Sequence, residues 1–139
     1  MTVTTQEIRE IQASLSGRAP QWVQQGGAAI TSVNGAPSTS TDGVSVLNSV
    51  SLSAIFTTVA IIKGASVTDY AGRWWGYNPA LGSGEWGLLD NSTRTGLTTN
   101  WQQQIASGSI TRVYFEMTAI TDTGSDGVSA YVGPCDPSA

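Results

Sequence analysis

Two hydrophobic patterns divide the chain, and the first lies near the N-terminus. Ile8, Ile11 and Leu15 recur at the three- and four-residue spacing that places side chains on one face of a helix. The preceding letters TTQE have the form of a capping box, and Gly17 follows as a C-terminal stop. The pattern predicts a short amphipathic α-helix over roughly 5–16. A helix this short is marginal alone in water, so its apolar stripe needs a docking surface on its own domain or on another chain.

The second pattern begins at Val44, where apolar residues follow the two-residue period of strands. In the segment 111–120, for example, Val113, Phe115, Met117 and Ala119 alternate with polar residues, which predicts one core face and one wet or interfacial face. The segment 54–62 is apolar on both faces and predicts a central strand covered on both sides. Turn-forming residues separate the predicted strands, which are 44–50, 54–63, 73–77, 85–89, 104–105, 111–120 and 128–132.

Between these two parts, residues 18–43 are rich in Gly, Pro, Ser and Thr, which predicts an extended arm. Trp22 is the exception in this segment, because an aromatic side chain in a linker usually packs into a groove. The groove could belong to the same subunit or to a neighbour.

We therefore predict a mainly β protein: an antiparallel, jelly-roll-like β-sandwich with a short N-terminal α-helix and an extended arm. The predicted divisions are the helix at 1–17, the arm at 18–43 and the sandwich at 44–139. A length of 139 residues is typical of a single domain.

Composition limits the partners that this protein can have. Charged residues make up 12% of the chain, against about a quarter in typical globular domains. A surface of uncharged polar residues suits a β-rich protein that packs against neighbours. The net charge of −4 and six scattered Lys and Arg residues argue against nucleic acid and against an anionic membrane surface. The first residues lack the pattern of a secretory signal, so we expect folding in the cytoplasm.

Few catalytic chemistries fit this residue set. The chain has no histidine, which excludes the Ser-His-Asp triad and imidazole metal sites, and Cys135 alone cannot form a disulfide or a thiolate cluster within one chain. Glu85, Asp90 and Glu116 could supply paired carboxylates, but their spacing does not pair them. A cross-strand ion pair or simple solvation beside Arg112 and Tyr114 is the simpler account of Glu116. We predict no catalytic residue, no cofactor, no metal and no enzymatic activity.

The aromatic residues provide the strongest indication of a binding surface. Trp74 and Trp75 are adjacent in a predicted strand, so their side chains point to opposite faces of the sheet. We expect Trp75 to lie on the outer face together with Arg73 and Tyr77, and we include Trp86 of the next strand in the candidate surface. This surface could stack on a sugar, contact another subunit or be covered by the N-terminal arm.

Several segments resemble the small jelly-roll decoration, or cement, proteins on the heads of tailed bacteriophages. They are VAIIKG at 59–64, RWWGYNP at 73–79, GEWGLLD at 84–90, ITRVYFEMTAI at 110–120 and VSAYVGP at 128–134. The resemblance covers about the C-terminal two-thirds of the chain. It implies a multivalent homo-oligomer, most simply a trimer, on a capsid lattice, with the major capsid protein or other virion proteins as partners. The location is then the virion, assembled in the host cytoplasm.

The functional prediction that follows is a virion structural protein, most specifically a head decoration protein. Ile8, Ile11, Leu15 and Trp22 would anchor the arm on neighbouring subunits. The alternative is a carbohydrate-binding or tail adhesin module, for which Trp75, Tyr77 and Trp86 would need to form an exposed and roughly coplanar row. A small enzyme that uses Glu85 or Glu116 is a third hypothesis.

Overall fold

The computed structural model describes residues 21–46, 56–79, 85–106 and 110–135. The predicted helix at 1–17, with Ile8, Ile11 and Leu15, lies outside the described residues. Within the described part, helical structure consists of one 3-10 turn, Gln25–Gly27. No helix in that part is long and apolar enough to span a membrane.

Eight β-strands make up most of the described chain. Two of them, β4 and β5, are much longer than the strands at 73–77 and 85–89 that side-chain alternation predicted. Polar and Gly positions such as Asp69 and Gly72 extend β4, and β5 continues well past the predicted end at residue 89. The strands are β1 (Gln21–Gln24), β2 (Val44–Ser45), β3 (Phe56–Lys63), β4 (Val67–Asn78), β5 (Glu85–Leu97), β6 (Trp101–Ala106), β7 (Arg112–Asp122) and β8 (Val128–Cys135).

The strands form two four-stranded sheets in which every neighbouring pair is antiparallel. The first sheet has the order β1-β8-β3-β6 and the second has the order β2-β7-β4-β5. The first half of the chain thus pairs with the second half in a nested way: β1 with β8, β2 with β7, β3 with β6 and β4 with β5. This is the strand order of a jelly roll. The predicted fold class, a mainly β antiparallel sandwich of jelly-roll type, is confirmed.

The core lies between the two sheets and is built on aromatic rings. Trp74 and Phe115 of the second sheet are fully buried, with ring centroids 5.1 Å apart. Trp101 of the first sheet meets both rings, at 6.4 Å from Trp74 and 6.0 Å from Phe115. Edge-to-face contacts of this kind stabilise a core beyond the area that they bury. They join the two sheets at the level of the candidate surface.

The predicted alternation in β7 is confirmed for Val113, Phe115 and Met117, which are all fully buried. It ends there, because Ala119 is exposed. The prediction that the apolar strand at 54–62 is covered on both sides is wrong: Ile61 is buried, but Ile62 is 44% exposed on the outer face of the first sheet. β3 lies between β8 and β6, so both of its edges are hydrogen-bonded to neighbouring strands. Pairing at the edges does not cover a face of the sheet, and the outer face stays exposed at Ile62.

The segment 18–43, predicted as an arm outside the sandwich, contributes to the fold. Its residues Gln21–Gln24 form β1, in which Val23 lies opposite Val132 of β8. Ile30 then exchanges two backbone hydrogen bonds with Val128, at 2.7 and 3.0 Å. The sandwich therefore begins N-terminal to the predicted boundary at residue 44.

The following residues, 31–43, which we call the strap, run along the edge of β7. Strand β2 pairs only with Val113 and Arg112, and it leaves the edge of β7 beyond them without a strand partner in the described chain. Side-chain amides take its place. Gln25 accepts a hydrogen bond from the Phe115 N–H at 2.7 Å and donates to the Phe115 carbonyl at 3.0 Å. Asn34 donates to the same carbonyl at 3.1 Å and accepts from the Met117 N–H at 2.8 Å. The unpaired N–H and C=O groups of an exposed strand edge can pair with another chain. The amides of Gln25 and Asn34 occupy these groups on β7.

Candidate functional site

The candidate site is the outer face of the second sheet, where strand register brings side chains from three strands together. Trp75 occupies the centre, with Tyr114 of β7 opposite on one side and Leu88 of β5 opposite on the other. Trp74 is fully buried beneath it, as the sequence predicted. We call the whole set the aromatic face: Arg73, Trp75, Tyr77, Trp86, Leu88, Arg112, Tyr114 and Glu116. The four residues predicted for this surface, Arg73, Trp75, Tyr77 and Trp86, are all members.

One end of the aromatic face is organised by a carboxylate. Glu116, only 7% exposed, lies opposite Arg73 in the register between β4 and β7. Its Oε1 accepts a hydrogen bond from Arg73 Nε at 2.8 Å and another from Trp75 Nε1 at 2.9 Å. The Arg73 guanidinium also lies 5.5 Å from the centroid of the Trp75 ring, within the range of a cation–π contact. Three side chains therefore hold one another in place.

The pKa of Glu116 reflects this arrangement. Burial alone would raise it, but the hydrogen bonds from Arg73 and Trp75 and the positive charge on Arg73 outweigh burial and lower the pKa below its usual value of 4.5. The sequence placed Glu116 beside Arg112 and Tyr114. The expected cross-strand ion pair does form, and its partner is Arg73 of β4. The register between strands sets that partner, and no local pattern encodes it.

The other end of the aromatic face is covered by the strap. Tyr77, Trp86 and Tyr114 form a contiguous row, with centroid distances of 5.2 Å and 6.2 Å between successive rings. The Trp86 indole N–H donates to the Thr39 carbonyl at 2.8 Å, and the Tyr114 hydroxyl donates to the Gly35 carbonyl at 3.0 Å. The rings of Tyr77 and Trp86 are inclined by 54° to each other, so the roughly coplanar row of Trp75, Tyr77 and Trp86 that the carbohydrate hypothesis requires does not form.

Arg112 fastens the C-terminal end of the strap. It donates from Nε to the Asp42 carbonyl at 2.7 Å and from Nη2 to the carbonyls of Thr41 and Gly43 at 3.0 and 2.9 Å. Its Nη1 donates to Ser45 Oγ at 2.6 Å. Sequence reasoning did not assign this role, because the partners are backbone carbonyls about 70 residues away along the chain.

Trp22, predicted as a partner contact, packs on its own chain. A Cβ atom added at Gly133 of β8 would lie 2.8 Å from indole Cδ2, so the ring lies directly over that glycine. The indole is partly exposed.

The carboxylates considered for catalysis are held apart by the strands. Glu85 lies opposite Asn78 and Glu116 lies opposite Arg73, five residues away along β4. At about 3.4 Å per residue the separation is roughly 17 Å, well beyond that of a glycosidase pair. The side chain of Asp90 is outside the described residues.

The loop after β7 also uses its carboxylates structurally. Asp122 accepts hydrogen bonds from the Ser66 hydroxyl and from the backbone N–H groups of Gly124 and Gly127. The Ser66 hydroxyl is the main cause of a decrease in the pKa of Asp122 to about 2, and the backbone donors add to it. Nowhere in the described chain do three His, Cys, Asp or Glu residues come together in a way that could hold a metal ion.

Comparisons of this chain with protein-family models, with curated proteins and with solved structures found no match.

Proposed function

We propose that the protein is a virion structural protein, most specifically a decoration protein that binds the outside of a tailed-phage head. The observation that carries the proposal is the strand order β1-β8-β3-β6 over β2-β7-β4-β5, because this eight-stranded jelly roll is a recurrent architecture of viral capsid proteins. The support is an analogy at the level of the fold.

The character of the surface agrees with a role in assembly. Charged residues make up 12% of the chain, and Arg73–Glu116 is the one ion pair found among the described residues. The centres of protein interfaces are depleted of charged residues, because a charge that loses water and finds no partner is costly. A β-sandwich with an uncharged polar surface can pack against neighbours without that cost.

The contacts to a capsid are proposed from the sequence. The apolar stripe of Ile8, Ile11 and Leu15 is the proposed anchor, with the major capsid protein or a neighbouring copy as the receiving surface. Trp22 can contribute only its exposed part, since the ring already packs on Gly133. A trimer on a capsid lattice repeats each contact by symmetry, so contacts that are weak singly give high avidity.

The test is binding of the purified full-length chain to heads of the phage that carries its gene, prepared from a deletion strain. Wild type is expected to co-sediment with the heads and to saturate at a fixed ratio to the major capsid protein. Ile8→Asp combined with Ile11→Asp is expected to abolish binding. Val33→Asp, at an exposed apolar position in the strap, is the matched control and should bind like wild type. Absence of wild-type binding would overturn the proposed function.

A further inference from the structure

The strap leaves part of the aromatic face open. Tyr77, Trp86 and Tyr114 are engaged at the strap end, whereas Leu88 is 47% exposed and the Arg73 side chain is 35% exposed. Trp75, partly exposed, lies between them. We call Arg73, Trp75, Leu88 and Glu116 the open half. It is a patch of four side chains, far smaller than the roughly 800 Å² that each partner contributes to a standard protein interface.

Trp75 in the open half has a fixed orientation. Its one polar group, the indole N–H, is bonded to Glu116, which is itself fixed by Arg73. The rest of the ring is apolar, and so is Leu88 beside it. A ligand that stacks on this ring would not have to immobilise it, and that lowers the entropic cost of binding.

Both charged members have hydrogen-bonding capacity to spare. Arg73 contacts Glu116 through Nε, and its two terminal nitrogens donate no hydrogen bond to any described residue. Both hydrogen bonds to the Glu116 carboxylate end on Oε1, so Oε2 accepts no hydrogen bond from any described residue. Donors and an acceptor therefore lie beside an apolar ring. The two charges cancel locally, and the chain as a whole carries −4, so the site does not favour an anionic ligand.

We propose that the open half binds a neutral pyranose. A sugar ring has an apolar C–H face that can stack on Trp75 and Leu88, and hydroxyl groups at its edge that both donate and accept hydrogen bonds. The hydroxyls would accept from the Arg73 terminal nitrogens and donate to Glu116 Oε2. Ligand sites commonly combine an apolar wall with a few fixed polar groups in this way. The affinity for a single ring would be low, with a Kd on the order of 1 mM.

The test is saturation-transfer difference NMR of the full-length chain with the methyl glycosides of glucose, galactose, mannose and N-acetylglucosamine. Wild type is expected to give saturation transfer to the ring protons of at least one glycoside. Trp75→Ala should weaken that binding at least tenfold, and Trp75→Phe should retain part of it. Ile62→Ala, at an exposed apolar position on the outer face of the other sheet, is the matched control and should bind like wild type.

Leu88→Asp provides a second variant should Trp75→Ala fail to fold, because Leu88 is exposed and its replacement leaves the core intact. It too is expected to weaken binding at least tenfold. Absence of binding to all four glycosides by folded wild type would overturn the proposal, and so would unchanged binding by either folded variant. The proposal does not rest on the decoration role, since capsid binding is tested with Ile8 and Ile11 and sugar binding with Trp75 and Leu88.

Discussion

Gln25 allows the sharpest test of how the edge of β7 is covered. Its side-chain amide, 7% exposed, pairs with both backbone groups of Phe115, in the manner of a neighbouring strand. Gln25→Ala removes both hydrogen bonds. The Phe115 carbonyl keeps Asn34 as a donor, but the Phe115 N–H is left buried without a partner.

The expected loss of stability follows from these contacts. An unpaired buried N–H costs about 1–3 kcal/mol, and the second hydrogen bond contributes about 1 kcal/mol. We therefore expect Gln25→Ala to lower the free energy of unfolding by about 2–4 kcal/mol. For a domain of this size that corresponds to a decrease in Tm of about 7–14 °C.

Gln25→Glu tests the donor half of the pairing. An ionised carboxylate can still accept from the Phe115 N–H, but its second oxygen would face the Phe115 carbonyl, which repels it. A protonated carboxyl can donate to that carbonyl, so the pKa of the new side chain is raised in the folded state. The destabilisation is then full above the raised pKa and disappears as the pH falls below the unfolded value of about 4.3.

The assay is urea unfolding followed by tryptophan fluorescence at pH 7 and pH 4. Gln104, exposed on β6, provides the matched controls Gln104→Ala and Gln104→Glu, which should stay within about 0.5 kcal/mol of wild type. If Gln25→Ala is no less stable than Gln104→Ala, the amide does not substitute for a strand at the edge of β7 and the reasoning is refuted.

Three further predictions concern stability. Gly72→Ala would place a Cβ 2.7 Å from the Glu116 carbonyl oxygen and closer still to the Phe115 ring, so we expect the free energy of unfolding in urea to fall by about 3 kcal/mol. Gly87→Ala is the control: the space around Gly87 is open, and the free energy of unfolding should change by less than about 0.5 kcal/mol. Asp122→Asn should lower the Tm at pH 6. Because the pKa of Asp122 is lowered to about 2 in the folded state, its carboxylate stabilises the protein most above the pKa of the unfolded chain, and the difference in Tm from wild type should shrink as the pH falls from about 4 to about 2. A difference in Tm that is independent of pH would contradict this. Glu116→Gln should cost about 1 kcal/mol at pH 7 in urea unfolding. Because the pKa of Glu116 is lowered in the folded state, this cost should begin to fall as the pH drops below the ordinary value of 4.5 and should disappear only at the lower pH at which the folded carboxylate is itself protonated; a cost that is independent of pH would contradict the lowered pKa.

Local side-chain alternation was sufficient to predict the fold class and the central residue of the site. Val113, Phe115 and Met117 follow the period of a half-buried strand, and adjacency alone places Trp74 and Trp75 on opposite faces. The sequence therefore predicted which face of β4 carries the candidate surface before any strand order was known.

Features that depend on contacts between distant strands were not predictable. β5 runs through Asn91, which has a positive φ of 57°, and its pairing with β4 shifts register between Arg73 and Trp75, so no regular alternation marks its second half. The pairing of Gln25 with Phe115 joins residues 90 positions apart. A polar residue in a Gly-rich segment gives no local sign that its side chain serves as part of a sheet edge.

The central claim, that this chain is a structural component of a virion, is tested most directly by quantitative mass spectrometry of gradient-purified particles from the phage that carries the gene. The account predicts that the chain is present at a constant ratio to the major capsid protein from one preparation to the next, and that a strain lacking the gene yields heads that lose their DNA at a lower temperature. Absence of the chain from purified particles, with the protein found only in the soluble lysate, would contradict it.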